Sequence, residues 1–206
     1  MIDPFKITNY DRTDHELQEF WLFCLAVAGK KATMMAKKVD DFLKPLNAWN
    51  NMNHDNKPDM TPLEFIAQLP GGSNGLDKEL RRVKMGKYAL LTKGYAETAA
   101  KGAQWLRTAS AEDIRKDITG AGYKTSRFFT LHSRRNENVA VIDTHMLKYL
   151  KHIGAPNVPD GIPNGPDYLR LEKILLAEAV KKKMAMADFD LAIWSHYAGG
   201  GVTPLP

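Results

Sequence analysis

The chain has 206 residues, 44% of them hydrophobic and 26% charged, with 11 prolines and 15 glycines; this is globular composition and excludes a disordered, collagen-like or low-complexity chain. At this length one domain, or two small intimately packed ones, can bury a core without disulfides. Lysine and arginine exceed aspartate and glutamate by 29 to 24, a net charge of +5, which permits a polyanionic partner without requiring one.

The single cysteine, Cys24, excludes an intramolecular disulfide and any zinc or iron-sulfur cluster built on this chain's cysteines alone. No apolar run approaches the ~18 residues of a membrane span, and Met1-Ile2-Asp3-Pro4 lacks the basic and apolar regions of a signal peptide. A soluble, unexported, cytoplasmic protein without a metal site is expected.

Strand signals are nearly absent, and only residues 139–142 are locally strand-like. Leu17, Phe20, Trp21, Cys24 and Val27 follow the i, i+3, i+4 spacing of one buried helix face, and Val39, Phe42, Leu43 and Leu46 do so in a second helix. Gly29, Lys30 and Lys31 mark the break between them. Residues 47–59, rich in asparagine, are expected to form a polar loop. Thr61-Pro62-Leu63-Glu64 then reads as an N-cap, a first-turn proline and a reciprocal capping acid, opening a short helix that Pro70-Gly71-Gly72 ends.

Leu76, Leu80 and Val83 open another amphipathic stretch, followed by helical sequence over 95–106. Ser110, with Asp113 three residues on, starts a helix that Gly120 stops; another is expected over 123–132. Asp143 can cap a further helix ending near Gly154, before a proline-rich connector over 155–166. Two last helices carry Tyr168, Leu171, Ile174 and Leu175, and Leu191, Trp194 and Tyr197, the second capped by Asp188 and stopped by Gly199-Gly200-Gly201. The expectation is an all-α protein of about ten helices.

The chemistry-bearing window is 114–150. Gly120-Ala121-Gly122-Tyr123-Lys124-Thr125 puts two glycines between two short helices, where the backbone can turn tightly and approach a phosphate. A plain interhelical turn is the simpler explanation for the glycines. Lys124 stands in the first turn of the second helix, at the positive end of its macrodipole, where an ammonium ion is disfavoured. Its side chain either snorkels into solvent or serves as an uncharged amine nucleophile. Nineteen residues on, Val141-Ile142-Asp143-Thr144-His145 brings a carboxylate to a helix start, where it caps whether or not it does anything else.

Gly120-Ala121-Gly122-Tyr123-Lys124-Thr125, followed at this distance by Ile142-Asp143-Thr144-His145, resembles the helix-hairpin-helix DNA glycosylases. Their pattern is a Gly-hydrophobic-Gly hairpin ending in lysine, then a Val-Asp-Thr-His segment. The resemblance implies two packed helical subdomains with a DNA-binding cleft between them, one formed by residues 30–136 with the hairpin, the other by 1–29 plus 137–206. It implies that Lys124 attacks the sugar C1′ of a bifunctional glycosylase/AP lyase and that Asp143 is the catalytic aspartate. The partner it implies is double-stranded DNA carrying a damaged base, bound by a monomer.

Without the four C-terminal cysteines of the iron-sulfur members, the chain looks like the compact 8-oxoguanine DNA glycosylases of bacteria and archaea. It departs from them in ending Gly201-Val202-Thr203-Pro204-Leu205-Pro206 rather than on lysine, and in having Gly29 where some members carry a polar gap-filling side chain. Another oxidised or deaminated base is therefore the alternative to 8-oxoguanine. A monofunctional glycosylase and a non-catalytic helix-hairpin-helix DNA-binding module are the alternatives to the bifunctional enzyme.

Gly120, Gly122, Tyr123, Thr125, Arg127, His145, Lys30, Lys31 and Lys148 are the candidate DNA contacts, with a solvated helix face as the plainer account of the lysines. Trp49 and Trp194 are candidates for stacking on an extruded base, against the commoner fate of tryptophan in a core. The 50–53 loop is a candidate probe of the opposite strand. By the resemblance, the hairpin carbonyls could hold a monovalent cation.

Overall fold

A computed structural model describes residues 2–4, 6–53, 58–198 and 205–206. These form ten α-helices and no strand: α1 (Asp14–Val27), α2 (Ala32–Asn53), α3 (Pro62–Gln68), α4 (Ser73–Arg82), α5 (Tyr88–Thr108), α6 (Ala111–Asp117), α7 (Tyr123–Ser133), α8 (Thr144–His152), α9 (Gly165–Lys181) and α10 (Met186–Ala198). The triple glycine expected to stop the last helix, and the tail through Pro204, lie outside the described residues.

Several helix starts are built by their own local sequence. Glu64 accepts from the backbone amide of Thr61 at 2.7 Å, and Asp113 and Ser110 exchange bonds at the head of α6. These reciprocal bonds satisfy amide groups that a helix N-terminus otherwise leaves open. Gly154, at φ +71°, turns the chain out of α8.

Other boundaries were set by packing. The polar loop expected from residue 47 is instead helix up to Asn53, despite Pro45 inside it. Val39, Phe42, Leu43, Leu46 and Asn50 continue one buried face. Asn50 binds the backbone of Met60 twice, donating to its carbonyl and accepting from its amide, both at 2.9 Å. Burial and these two bonds outweigh the one ladder bond that proline removes. Asn50 is thus a structural tie rather than a strand probe. The last helix begins at Met186, so Asp188 sits in its first turn instead of capping it.

The apolar residues form two cores. The first gathers α1 to α6 and includes Phe20, Trp21, Phe42, Tyr95 and Ile114; α1 lies here, with α2, α3, α5 and α7 against it. Polar ties lock α1 in place, with Trp21 Nε1 donating to Thr98 Oγ1 at 2.9 Å and the Tyr95 hydroxyl donating to the Leu22 carbonyl at 2.7 Å. The second core gathers residues 140–142 with α8, α9 and α10, around Tyr149, Tyr168, Leu171 and Phe189. α7 runs along the seam: Phe129 belongs to the first core, Leu131 to the second, and Phe128 packs on both.

Candidate active site

α6 packs on α7 across the turn of residues 118–122. Gly120 has φ +89°, and a Cβ there would meet Leu90 Cδ2 at 2.4 Å; a Cβ at Gly94 on α5 would meet the Thr119 carbonyl oxygen at 2.4 Å. Both glycines are therefore needed to seat the hairpin on α5. Glu97, also on α5, accepts from the amide and the hydroxyl of Thr119 at 2.6 and 3.0 Å. Gly122 is the N-cap of α7, which puts Lys124 in its first turn, half-buried.

Asp143 arrives on an extended segment and caps α8. Its Oδ1 accepts from the amides of His145 and Met146 at 2.8 and 3.0 Å, so the carboxylate is aimed by its own helix and Oδ2 stands outside the capping bonds.

A cavity of about 290 Å³ opens at the seam of the two cores. Its walls come from the end of α1 and the α1–α2 turn (Phe23, Cys24, Gly29, Lys30), from α7 (Lys124, Thr125, Phe128), from Asp143 and His145, and from α10 (Asp190, Leu191, Trp194). The amine and the carboxylate expected to cooperate are therefore brought to one cavity from two elements, together with Thr125, His145, Lys30 and Trp194. His145 stacks on Tyr197 with ring centroids 6.2 Å apart, and its Nδ1 is buried with no hydrogen-bond partner among the described residues.

Other candidates lie elsewhere. Arg127, expected on phosphate, is 5% exposed and paired with Glu172, Nε to Oε1 at 2.6 Å; a guanidinium committed to a buried carboxylate is not free for DNA. Tyr123 is stacked on Tyr168 with ring centroids 4.9 Å apart. Trp49, on α2, Lys31 and Lys148 do not line the cavity. Lys148 is exposed, its ammonium 5.8 Å from the Tyr197 ring.

Asp190 escaped the sequence analysis. It is buried on α10, lines the cavity, and faces His132 Nε2 at 3.1 Å through Oδ2; His132 Nδ1 in turn meets Thr8 Oγ1 at 2.8 Å. Burial pushes the Asp190 carboxyl above its ordinary value of 3.8, the His132 hydrogen bond and charge oppose the push, Asp143 adds to it and Lys124 opposes it. The only sequence signal was position: Asp190 lies one turn before Trp194, on the same face of α10.

The shift has a sign that can be measured. The folded protein holds this proton more tightly than the unfolded chain, so its contribution to stability is full below the ordinary carboxylate range and is lost as pH rises through the raised value. The melting temperature of the wild type is expected to fall across that window relative to Asp190→Asn, which has no proton there to lose. Parallel melting curves against pH would contradict the assignment. Cys24 also borders the cavity, but burial pushes its thiol well up and makes it a poor nucleophile.

Among the described residues, no group of three His, Cys, Asp or Glu side chains could hold a metal ion. At the hairpin, the Ile118 carbonyl accepts from the Ala121 amide at 3.1 Å, the Gly122 carbonyl accepts from the Ser126 amide at 3.1 Å, and the Thr119 carbonyl abuts Gly94. Each of these carbonyls keeps a second lone pair, and no chemical step is assigned to an ion there.

No protein-family model matches the chain. In sequence it is 27% identical over 168 residues to an 8-oxoguanine DNA glycosylase/AP lyase of Fusobacterium nucleatum, covering 76% of this chain and 74% of the relative. In structure it is similar to the 8-oxoguanine DNA glycosylase of Methanocaldococcus jannaschii, with a TM-score of 0.63 at 17% identity over 94% of this chain and 84% of the other. The same archaeal protein in complex with a 15mer DNA containing 8-oxoguanine matches with a TM-score of 0.59 at 20% identity, over 92% and 84% of the two chains. The 8-oxoguanine DNA glycosylase of Thermotoga maritima matches with a TM-score of 0.63 at 19% identity, over 97% and 86%. The chain is thus similar in sequence to an 8-oxoguanine DNA glycosylase/AP lyase of a bacterium and in fold to 8-oxoguanine DNA glycosylases of an archaeon and a bacterium.

Proposed function

We infer that this protein is a bifunctional DNA glycosylase/AP lyase that removes an oxidised base, 8-oxoguanine first among them, from double-stranded DNA. The observation that carries the reading is the meeting of Lys124, Asp143 and Asp190 at one cavity bordered by Phe128 and Trp194. Its volume lies near the lower end of ligand pockets, roughly 300 Å³, which suits a single base.

A base inside a duplex is closed to attack, so the nucleotide is turned out of the stack, at a cost of a few kcal/mol. Phe128 and Trp194 supply aromatic surface against which the base can stack. Asp190 supplies an acceptor for ring N–H groups, fixed in direction by His132. The Lys124 amine, uncharged at the moment of attack, bonds to C1′ as the C1′–N9 bond breaks and the base departs with that electron pair. Positive charge builds on the sugar, and Asp143 stabilises it in a site with little water.

Ring opening then yields an imine between Lys124 and C1′. Loss of a C2′ proton and departure of the 3′ phosphate oxygen cut the strand, and hydrolysis of the imine returns the amine. A single copy of the chain supplies every one of these groups, which supports action as a monomer. Lys30 at the cavity mouth, with the exposed Lys31, is placed to meet the DNA backbone.

One panel of duplexes, each carrying a different damaged base opposite each normal base, tests the reading when assayed with and without alkali. The bifunctional enzyme cuts its lesion strand without alkali. Cutting only after alkali means a monofunctional glycosylase, and no cutting with any lesion means a DNA-binding module.

A further inference from the structure

The two groups proposed to react come from separate elements, so their separation has to be fixed by something that touches both. α9 does. Tyr168 and Glu172 stand one turn apart on the same face of α9, and both are buried. Toward the Asp143 segment, Glu172 Oε1 accepts from the Ala140 amide at 3.0 Å, the Tyr168 hydroxyl accepts from the Ile142 amide at 2.9 Å, and the same hydroxyl donates to the Ala140 carbonyl at 3.1 Å. Three backbone groups within the four residues before Asp143 are therefore held by two side chains of one helix.

Toward the Lys124 helix, the same Glu172 accepts from Arg127 through both oxygens, Oε1 from Nε at 2.6 Å and Oε2 from Nη2 at 3.2 Å. Arg127 is one turn from Lys124 on α7. Its guanidinium sits 4.8 Å from the Tyr123 ring and 5.1 Å from the Tyr168 ring, and those two rings stack on each other. Glu172 Oε1 is thus shared by the two elements: a displacement of either one lengthens a bond that the other uses.

We propose that Glu172 and Tyr168 are positioning residues for base excision, setting the distance between the Lys124 amine and the Asp143 carboxylate through Arg127 on one side and the backbone of residues 140–142 on the other. The proposal rests on the reading of Lys124 and Asp143 as the reacting pair. Neither Tyr168 nor Glu172 lines the cavity, so both act only through their neighbours. Burial pushes the Tyr168 phenol well up, so the hydroxyl keeps its proton and its donor role across the working pH range. A fixed separation matters because a misplacement of about 1 Å can cost on the order of a hundredfold in rate.

The test is single-turnover base release from a duplex carrying 8-oxoguanine opposite cytosine, with enzyme in excess, so that the first-order rate does not depend on the fraction of enzyme folded. Tyr168→Phe keeps the stacked ring and removes only the hydroxyl; it should slow base release about tenfold and change Kd for lesion DNA less than about twofold. In an Asp143→Asn background the same substitution should slow the residual reaction less than about twofold, because its effect passes through Asp143. Glu172→Gln, which loosens both elements, should show the same split between rate and affinity and carries the test if Tyr168→Phe folds poorly.

Unchanged rates in both variants would overturn the proposal. So would a slowing that persists in full in the Asp143→Asn background, which would mark general damage to the fold. If the wild type neither releases a base nor forms a borohydride-trapped complex with any lesion duplex, the reading of the site fails and this proposal falls with it. An active wild type with indifferent α9 variants overturns the positioning role alone.

Discussion

Lys124→Gln is expected to abolish the covalent complex that borohydride traps between the protein and lesion DNA. Borohydride reduces a carbon-nitrogen double bond, and an amide side chain cannot form one with C1′. Strand cutting without alkali should disappear with it, and base release should fall by on the order of 10³-fold or more, as when the nucleophile of a cooperating group is removed. The residual rate would come from the pocket and Asp143. Glutamine fits the first turn of α7 without difficulty, since its helix propensity is close to that of lysine. Circular dichroism and the melting temperature should therefore match the wild type. Trapping that survives Lys124→Gln undiminished would remove Lys124 from the chemistry, however well the cavity is placed.

Asp143→Asn is expected to lower the single-turnover rate of base release by about 10²- to 10³-fold while leaving lesion DNA bound. The separation of effects follows from the two jobs of the side chain. Oδ1 caps α8 by accepting from His145 and Met146, and an asparagine oxygen caps a helix about as well as aspartate does. The charge is what the substitution removes, and charge is what a developing cationic sugar needs. Asp143→Ala serves as the control: it loses the cap as well, at a cost of about 1 kcal/mol of stability, which thermal melts should register. Near-normal turnover by Asp143→Asn would contradict the electrostatic role. A melting temperature lowered equally by asparagine and alanine would contradict the account of the cap.

Much of this protein was open to local reasoning, and its limits fall at identifiable residues. The capping pairs at Thr61 and Ser110, the glycine stops at Gly120 and Gly154, and the Asp143 cap were visible in sequence because each depends on groups within four residues of one another. Lys124 and Asp143 were visible as a pair because both belong to short contiguous motifs. By contrast, the break between α4 and α5 passes through Lys84 and Lys87 at positive φ, a conformation with no lysine signature. The continuation of α2 through Pro45 depended on Asn50 reaching the backbone of Met60. Local propensity argues against both, and contacts made from outside the segment decide them.

The sequence by itself determined the all-helical class, most helix boundaries and the two residues proposed to react, since these are properties of periodicity, caps and short motifs. Only the tertiary structure decided which side chains share the cavity. It turned Arg127 inward to Glu172, left Trp49 away from the cavity, and brought His132 and Asp190, 58 residues apart, within 3.1 Å. Burial is the physical reason. An ionised or polar group taken out of water has to find a partner, and that partner is chosen by which helices pack together rather than by distance along the chain.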